Sequence, residues 1–492
     1  MAEAALKERR DEADVVAIAN VEAVNRRQTR SLYQKREKIY PRLAHGTFRR
    51  LKWALLAATL SVYYVSPWLR WDRGANAPDQ AILIDFPNRR FYFFFIEIWP
   101  QEVYYLTGLL ILAAIGLFLV TSLAGRVWCG YACPQTVWTD LFIAIERLIE
   151  GDRSARIRLD KRRWDAGKLG RKLAKHAIWI VVAVGTGGAW VFYFADAPTL
   201  AGQLLRFEAP PVSYVFIGVL TFTTYTLGGI AREQVCIYMC PWPRIQAAML
   251  DEDTVTVTYR SDRGEPRGPH RKGQPWEGRG HCIDCRQCVV VCPMGIDIRD
   301  GLQLECISCA LCIDACDDVM RRDGLPTGLI AYDTDANVER RRKGEGQFFR
   351  LVRPRTVAYA GIIAVVGLVM LGALLSRGSL DLNVLRDRNP LFTRLADGSI
   401  RNGYTVKILN KRHEDGVFDI AVDGLDRPEL KLVGAEAGGV TAAADTLRSF
   451  RVLVTVPAER LKQEHTAIRF TVTERRSGES AGNDSQFLGP QP

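Results

Sequence analysis

The chain of 492 residues has only six histidines, and they are scattered. His176 opens an apolar stretch and His281 precedes a cysteine, but no pair has the spacing of a transmembrane bis-histidine haem site, so no haem is expected. There is no phosphate loop and no G-x-G-x-x-G after a strand, which argues against a nucleotide or flavin site. No small-residue cleavage site follows a short apolar core, and the first stretch, about 50 residues, is basic throughout, so no cleavable signal peptide is read. The net charge of +11 comes without any nucleic-acid module, and no nucleic-acid partner is expected. Beyond about Arg377 there is no cysteine, which excludes a disulfide scaffold or a thiolate metal site in that part.

Of the twelve cysteines, eight lie between His281 and Asp317. Cys282, Cys285, Cys288 and Cys292 follow C-x2-C-x2-C-x3-C-P, and the same spacing without the proline returns at Cys306, Cys309, Cys312 and Cys316. Three thiolates two residues apart can cap three iron corners of a cubane from one loop, and in two-cluster ferredoxins the fourth ligand crosses over. One 4Fe-4S cluster is therefore assigned to Cys282, Cys285, Cys288 and Cys316, and a second to Cys306, Cys309, Cys312 and Cys292. Structural zinc is the weaker alternative, because a third cysteine at the same short step has no use in one tetrahedral site. Asp317 stands where a ferredoxin would often carry proline.

Five apolar segments have about the length needed to cross a bilayer: Leu51 to Leu69, Val103 to Ala124, Ala177 to Ala195, Pro211 to Ala231, and Thr356 to Ser376. The first is the weakest, with Lys52 near one end and Pro67 near the other. Twelve Lys and Arg precede it and twelve lie between Gly125 and Lys175, whereas the loop between segments three and four holds only Arg206. Positive charge stays in the cytoplasm. The N-terminus, the 125–175 loop and the 232–355 region are thus expected in the cytoplasm of a bacterial inner-membrane protein, with the C-terminal part periplasmic. The basic residues border the membrane segments, where they would meet anionic lipid headgroups.

Two further cysteine pairs follow segments two and four. Cys129 and Cys133 belong to Arg126-Val-Trp-Cys-Gly-Tyr-Ala-Cys-Pro, and Cys236 and Cys240 to a second C-x3-C-P that continues to Pro243. Cysteines at i and i+4 share a helix face, and the proline disfavours helix at the second one, so each pair is expected at a helix end. Packing of segments two and four would bring four thiols to one site. Soft thiolates suit Cu(I), zinc or another iron–sulfur centre, and a dithiol/disulfide couple is a further option, while buried small hydrophobes are the bland reading. Met239 could add a thioether.

The remaining stretches are read more briefly. Residues 1–45 form a charged helix or arm. Ile82 to Gln101, rich in Phe, Tyr and Trp, reads as an aromatic belt at headgroup level, partly re-entrant, with a quinone pocket as the alternative. Asp251 to Gly280 is a polar linker. After the fifth segment, Tyr404 to Leu409, Val417 to Val422, Glu429 to Val433, Ser449 to Val456 and Ala467 to Val472 alternate between turn residues, the signature of a small antiparallel sandwich suited to partner recognition. The expected architecture is a multi-domain membrane protein. It has an N-terminal arm (1–50), a helical membrane core (51–250), a ferredoxin-like insert (251–350), a fifth membrane helix (351–378) and an all-β immunoglobulin-like domain (379–492).

The paired C-x3-C-P motifs, the double ferredoxin motif, the stretch Cys316-Asp-Asp-Val-Met-Arg, Gly328-Leu-Ile and the β-rich tail together resemble the FixG/CcoG (RdxA) family. The resemblance spans nearly the whole chain. It implies an iron–sulfur protein of the cytoplasmic membrane needed for assembly of cbb3-type cytochrome c oxidase, one that reduces Cu(II) to Cu(I). It also implies that Cys129, Cys133, Cys236 and Cys240 form the copper site, with oxidase assembly factors or a copper chaperone or transporter as partners, and a homodimer as an option. The membrane core further resembles the polyferredoxin subunits of nitrate and nitrous-oxide respiration, which draw electrons from quinol. Two rival readings follow: a quinol-linked subunit that reduces a partner protein, and a redox-sensing assembly scaffold.

Overall fold

The computed structural model describes residues 21–25, 37–74, 77–270, 276–434, 439–461 and 463–490. Most of the N-terminal arm read from the sequence lies outside these residues. The chain divides into two units, one formed by Met1–Leu69 and Ala81–Met370, the other by Arg70–Gln80 and Leu371–Pro492.

Four helices of the described residues are long and apolar enough to cross a membrane: Pro100–Ala124, Ala166–Val191, Pro211–Ala231 and Pro354–Leu375. Most of their surface is not covered by protein, as expected of helices whose solvent is lipid. The first expected segment also folds as a helix, Thr47–Val65, but it begins four residues earlier and carries Arg49, Arg50 and Lys52 in its first turns. These charges keep it out of that set of four; Arg49 and Lys52 are buried and face Asp140. The Pro211 helix continues as a π-helical segment, Thr224–Ala231, and a second, Val235–Met239, follows it. Runs of π-helix are rare and gather at functional sites.

The stretch read as an aromatic belt folds as a three-stranded antiparallel sheet of β1 (Ile82–Asp85), β2 (Arg90–Phe93) and β3 (Ile96–Ile98). The polar Asn88-Arg-Arg run forms its first turn, with Arg89 at φ 56. The 251–280 stretch is likewise more than a linker: β4 (Thr256–Tyr259) pairs antiparallel with β5 (Ile330–Asp333), so the two ends of the cysteine-rich region are tied to each other.

Between β4 and β5 the repeat in sequence is also a repeat in backbone. Asp284 and Arg286, on either side of Cys285, have φ of 54 and 55; Ser308 and Ala310, on either side of Cys309, have φ of 53 and 60. Two non-glycine residues in the left-handed region within three positions is costly. Finding it twice at the same offset shows that both loops are bent to aim their thiols inward. Each loop then enters a helix, Gln287–Val290 in the first and Leu311–Arg322 in the second.

The second unit is a β-sandwich. One sheet has the order β10 (Glu429–Val433), β12 (Thr446–Val456), β8 (Ile400–Asn410), β6 (Leu380–Arg386), with the short β7 (Thr393–Arg394) on β8; the other runs β11 (Val440–Ala442), β9 (Gly416–Asp423), β13 (His465–Glu474), β14 (Ser480–Leu488). Every pairing is antiparallel. Along β8 the burial alternates, sending Ile400, Tyr404, Val406 and Ile408 into a core with Phe418, Phe470 and Phe487. The Tyr404 hydroxyl donates to the Gln486 carbonyl (2.9 Å), so its polar tip is satisfied within that core.

Candidate functional site

The eight ferredoxin-type cysteines are free thiols in one hydrophobic core, with Cys282, Cys288, Cys306, Cys309 and Cys316 buried outright. Their neighbours fall into two crossed sets. Cys316 is pushed up by burial and by the nearby Cys285 and Cys282; Cys292 is pushed up to about 12 by burial, with Cys309 and Cys306 beside it. Thus the last cysteine of each motif sits with the first ones of the other. The two sets adjoin, since Cys288, Cys292, Cys306, Cys309 and Cys312 line one internal cleft. Beside the first set, burial raises Cys288 while the Arg299 guanidinium opposes it, and Arg299 is itself held by Asp297 at 2.6 Å.

No three cysteine sulfurs among the described residues come within 4.8 Å of one another. Four thiolates around one zinc, at 2.3 Å bonds, would stand about 3.8 Å apart. A cubane is a larger body and holds its four ligands farther apart than one zinc does. Buried thiols that resist ionising also require a strong local cation to hold them as thiolates, which iron supplies.

The four cysteines of the C-x3-C-P pairs are brought together at the ends of the membrane helices. Cys236 is pushed up to about 12 by burial, with Cys133, Cys129 and Cys240 as neighbours. Local sequence explains the geometry. The Tyr104–Ala124 helix ends at Gly125 (φ 58), where a Cβ would stand 3.0 Å from Thr256 Cγ2. A single turn, Val127–Tyr131, carries Cys129; Cys133 is then extended (φ −61, ψ 127) because Pro134 opens the next helix, Pro134–Glu150. Cys240 is extended in the same way (φ −79, ψ 123) before Pro241. Burial falls across the set: Cys129 is buried, Cys133 and Cys236 half-buried, Cys240 exposed beside the exposed Met239.

Several residues that sequence reasoning passed over support these thiols. The Cys129 thiol donates to Gln246 Oε1 (3.2 Å), whose amide in turn donates to Thr121 Oγ1 (3.1 Å). Burial raises Cys129, and the Arg126 guanidinium counteracts it. Arg126 donates to the Leu304 carbonyl and lines a cavity of about 360 Å³ together with Cys306 and Ser308. Glu146, fully buried, gathers Arg232 (2.8 Å), Arg156 (3.2 Å) and Lys175 (3.4 Å). Burial would raise its carboxyl, but Arg232, Lys38, Lys175 and Arg156 outweigh that and bring it down to about 2. The only sequence-level hint was Arg126 and Arg232 standing three and four residues before the first cysteine of their motifs.

Comparison with known proteins agrees with this picture. Residues 231–335 match the model of a 4Fe-4S dicluster domain, residues 106–150 that of a 4Fe-4S binding domain, and residues 370–490 the immunoglobulin-like fold at the C-terminus of FixG. The nitrogen fixation protein FixG of Rhizobium meliloti is 52% identical over 478 residues, covering 90% of this chain and 91% of that protein. The chain belongs to the FixG family. RdxB and RdxA of Cereibacter sphaeroides are each 53% identical, over 470 and 429 residues; RdxB matches 94% of this chain and 98% of its own length, RdxA 87% and 91%. The chain is accordingly a membrane-associated iron–sulfur electron-transfer protein of the FixG/Rdx type.

Proposed function

We propose that the chain reduces Cu(II) to Cu(I) at the four C-x3-C-P thiols, in the service of cbb3-type oxidase assembly. In this reading Cys282, Cys285, Cys288 and Cys316 hold one 4Fe-4S cluster and Cys306, Cys309, Cys312 and Cys292 the other. Such clusters, when bound, supply one-electron storage. The carrying observation is that Cys129 and Cys236 share one hydrophobic core with the ferredoxin-type cysteines, so that a thiol site for a soft metal adjoins a redox site. Copper(I) is the softer ion, and thiolates favour it over Cu(II), which makes reduction at this site more favourable than in water. The burial gradient offers an entry: Cys240 and Met239 meet the ion first and Cys129 holds it deepest. Arg126 offsets the cost of thiolate formation at Cys129, and Gln246 fixes its sulfur.

The basic flanks support a topology with the clusters and the N-terminus in the cytoplasm and the sandwich in the periplasm of the inner membrane. There the sandwich is free to recognise an assembly factor or copper-handling partner. Replacing Cys129 and Cys240 by Ser should abolish Cu(II) reduction by the dithionite-reduced protein while the iron–sulfur absorption stays; persistent reduction would remove copper from the account. A second reading, a third iron–sulfur centre at the four thiols, is favoured by the match of residues 106–150, with Cys129 and Cys133, to a 4Fe-4S binding model. Iron near twelve rather than about eight per chain would select it.

A further inference from the structure

Among the described residues, the Cys306 loop packs its backbone directly against the first C-x3-C-P turn. At Gly130, between Cys129 and Cys133, an added Cβ would stand 2.6 Å from the Ile307 carbonyl oxygen and 3.0 Å from both Cα and backbone N of Cys309. These are backbone atoms that cannot swing aside, so only glycine permits this approach. The next residue fixes it: the Tyr131 hydroxyl donates to the Cys309 carbonyl (3.2 Å), and the Tyr332 hydroxyl, 3.3 Å from that of Tyr131, donates to the Ser308 carbonyl (2.6 Å). Arg126 ties the same turn to Leu304, two residues before Cys306. The hydrogen bonds described for the Cys282 loop lead elsewhere, while Pro293 and Met294 just past its last cysteine line a cleft with Cys236 and Ile307. Arg299 bridges Asp284 to Asp297, and His281 meets Arg263 (2.9 Å) and Trp276.

We propose that Gly130, Tyr131 and Tyr332 are positioning residues that seat the first C-x3-C-P turn on the Cys306–Cys312 loop. That loop, and not the Cys282 loop, then delivers electrons to the four thiols. The inference rests on the copper reading for its last step. At the thiols Cu(II) accepts one electron and becomes Cu(I); that electron is given up at the Cys306 loop and restored from the Cys282 side by a one-electron reductant, dithionite in the test.

The test uses full-length, iron-loaded, copper-free protein under anaerobic conditions. The rate of Cys129 alkylation by N-ethylmaleimide is followed by mass spectrometry, together with single-turnover reoxidation by Cu(II). With iron content unchanged, Gly130→Ala should label Cys129 about tenfold faster, the effect of about 1.4 kcal/mol of weakened closure. Cys309→Ser should do the same and lose Cu(II) reoxidation of its remaining cluster, whereas Cys285→Ser should keep the protection of Cys129. Equal labelling in Gly130→Ala and the parent, or equal effects of Cys309→Ser and Cys285→Ser, would overturn the proposed seating. The Cys309 and Cys285 pair decides the matter even where Gly130→Ala does not fold. The expected labelling pattern in a protein whose clusters Cu(II) never reoxidises would keep the seating and overturn the copper reading with its electron step.

Discussion

Glu146 holds together what would otherwise be four mutually repelling cations, Lys38, Arg156, Lys175 and Arg232, drawn from four separate stretches of chain. Its folded value of about 2 lies below the ordinary 4.5. Its contribution to stability is therefore complete above pH 4.5 and lost as the pH falls toward 2. Glu146→Gln should cost about 3–5 kcal/mol at neutral pH, because Arg156 and Arg232 stay buried without this counter-charge, while Lys175 keeps Glu150 and Lys38 keeps Asp160. Thermal unfolding of the detergent-solubilised protein at pH 7 and pH 3 checks this, the variant showing the smaller pH dependence. The cysteines were legible in the sequence because a short ligand spacing is a local property. Glu146, Gly130 and Arg126 were not, since what each one does depends on a partner far along the chain. For Gly130 that partner is Cys309, and a lone glycine in a C-x3-C motif carries no local sign of it.

The Thr47–Val65 helix shows how an element can be read correctly as a helix and still be misjudged in its start. Its first turn is capped from a distance: Asp314, between Cys312 and Cys316, accepts from the backbone N–H groups of Phe48 (3.2 Å) and Arg49 (2.7 Å). A buried carboxylate at a helix N-terminus meets both the orphan donors and the positive end of the dipole. Asp314→Ala should cost about 1–2 kcal/mol, read as faster amide exchange at Phe48 and Arg49. The sandwich strands were legible wherever apolar and polar residues alternate, as in β8. β14, Ser480–Leu488, escaped notice because only Phe487 and Leu488 are buried in an otherwise polar run, and β6 because it follows a membrane helix almost without a break. In that core Phe470→Ala should cost about 3–5 kcal/mol, visible as a lower denaturant midpoint by fluorescence of the full chain.

For the whole molecule, the proposed function puts the thiols on one side of a lipid barrier and the C-terminal domain on the other. On the expectation drawn from the alternation of basic and charge-poor loops, reporter fusions after residue 300 and at the C-terminus should report different compartments. That the aromatic stretch at 82–101 folds as a small sheet was not legible, because its aromatic composition says nothing about strand pairing; the Asn88-Arg-Arg turn was the missed cue. Everything functional depends on the eight crossed cysteines holding iron. The most direct test is metal and acid-labile sulfide analysis of protein purified without oxygen, in which two cubanes require about eight irons and about eight sulfides per chain. A colourless protein without labile sulfide, or one carrying zinc at those cysteines, would contradict the account.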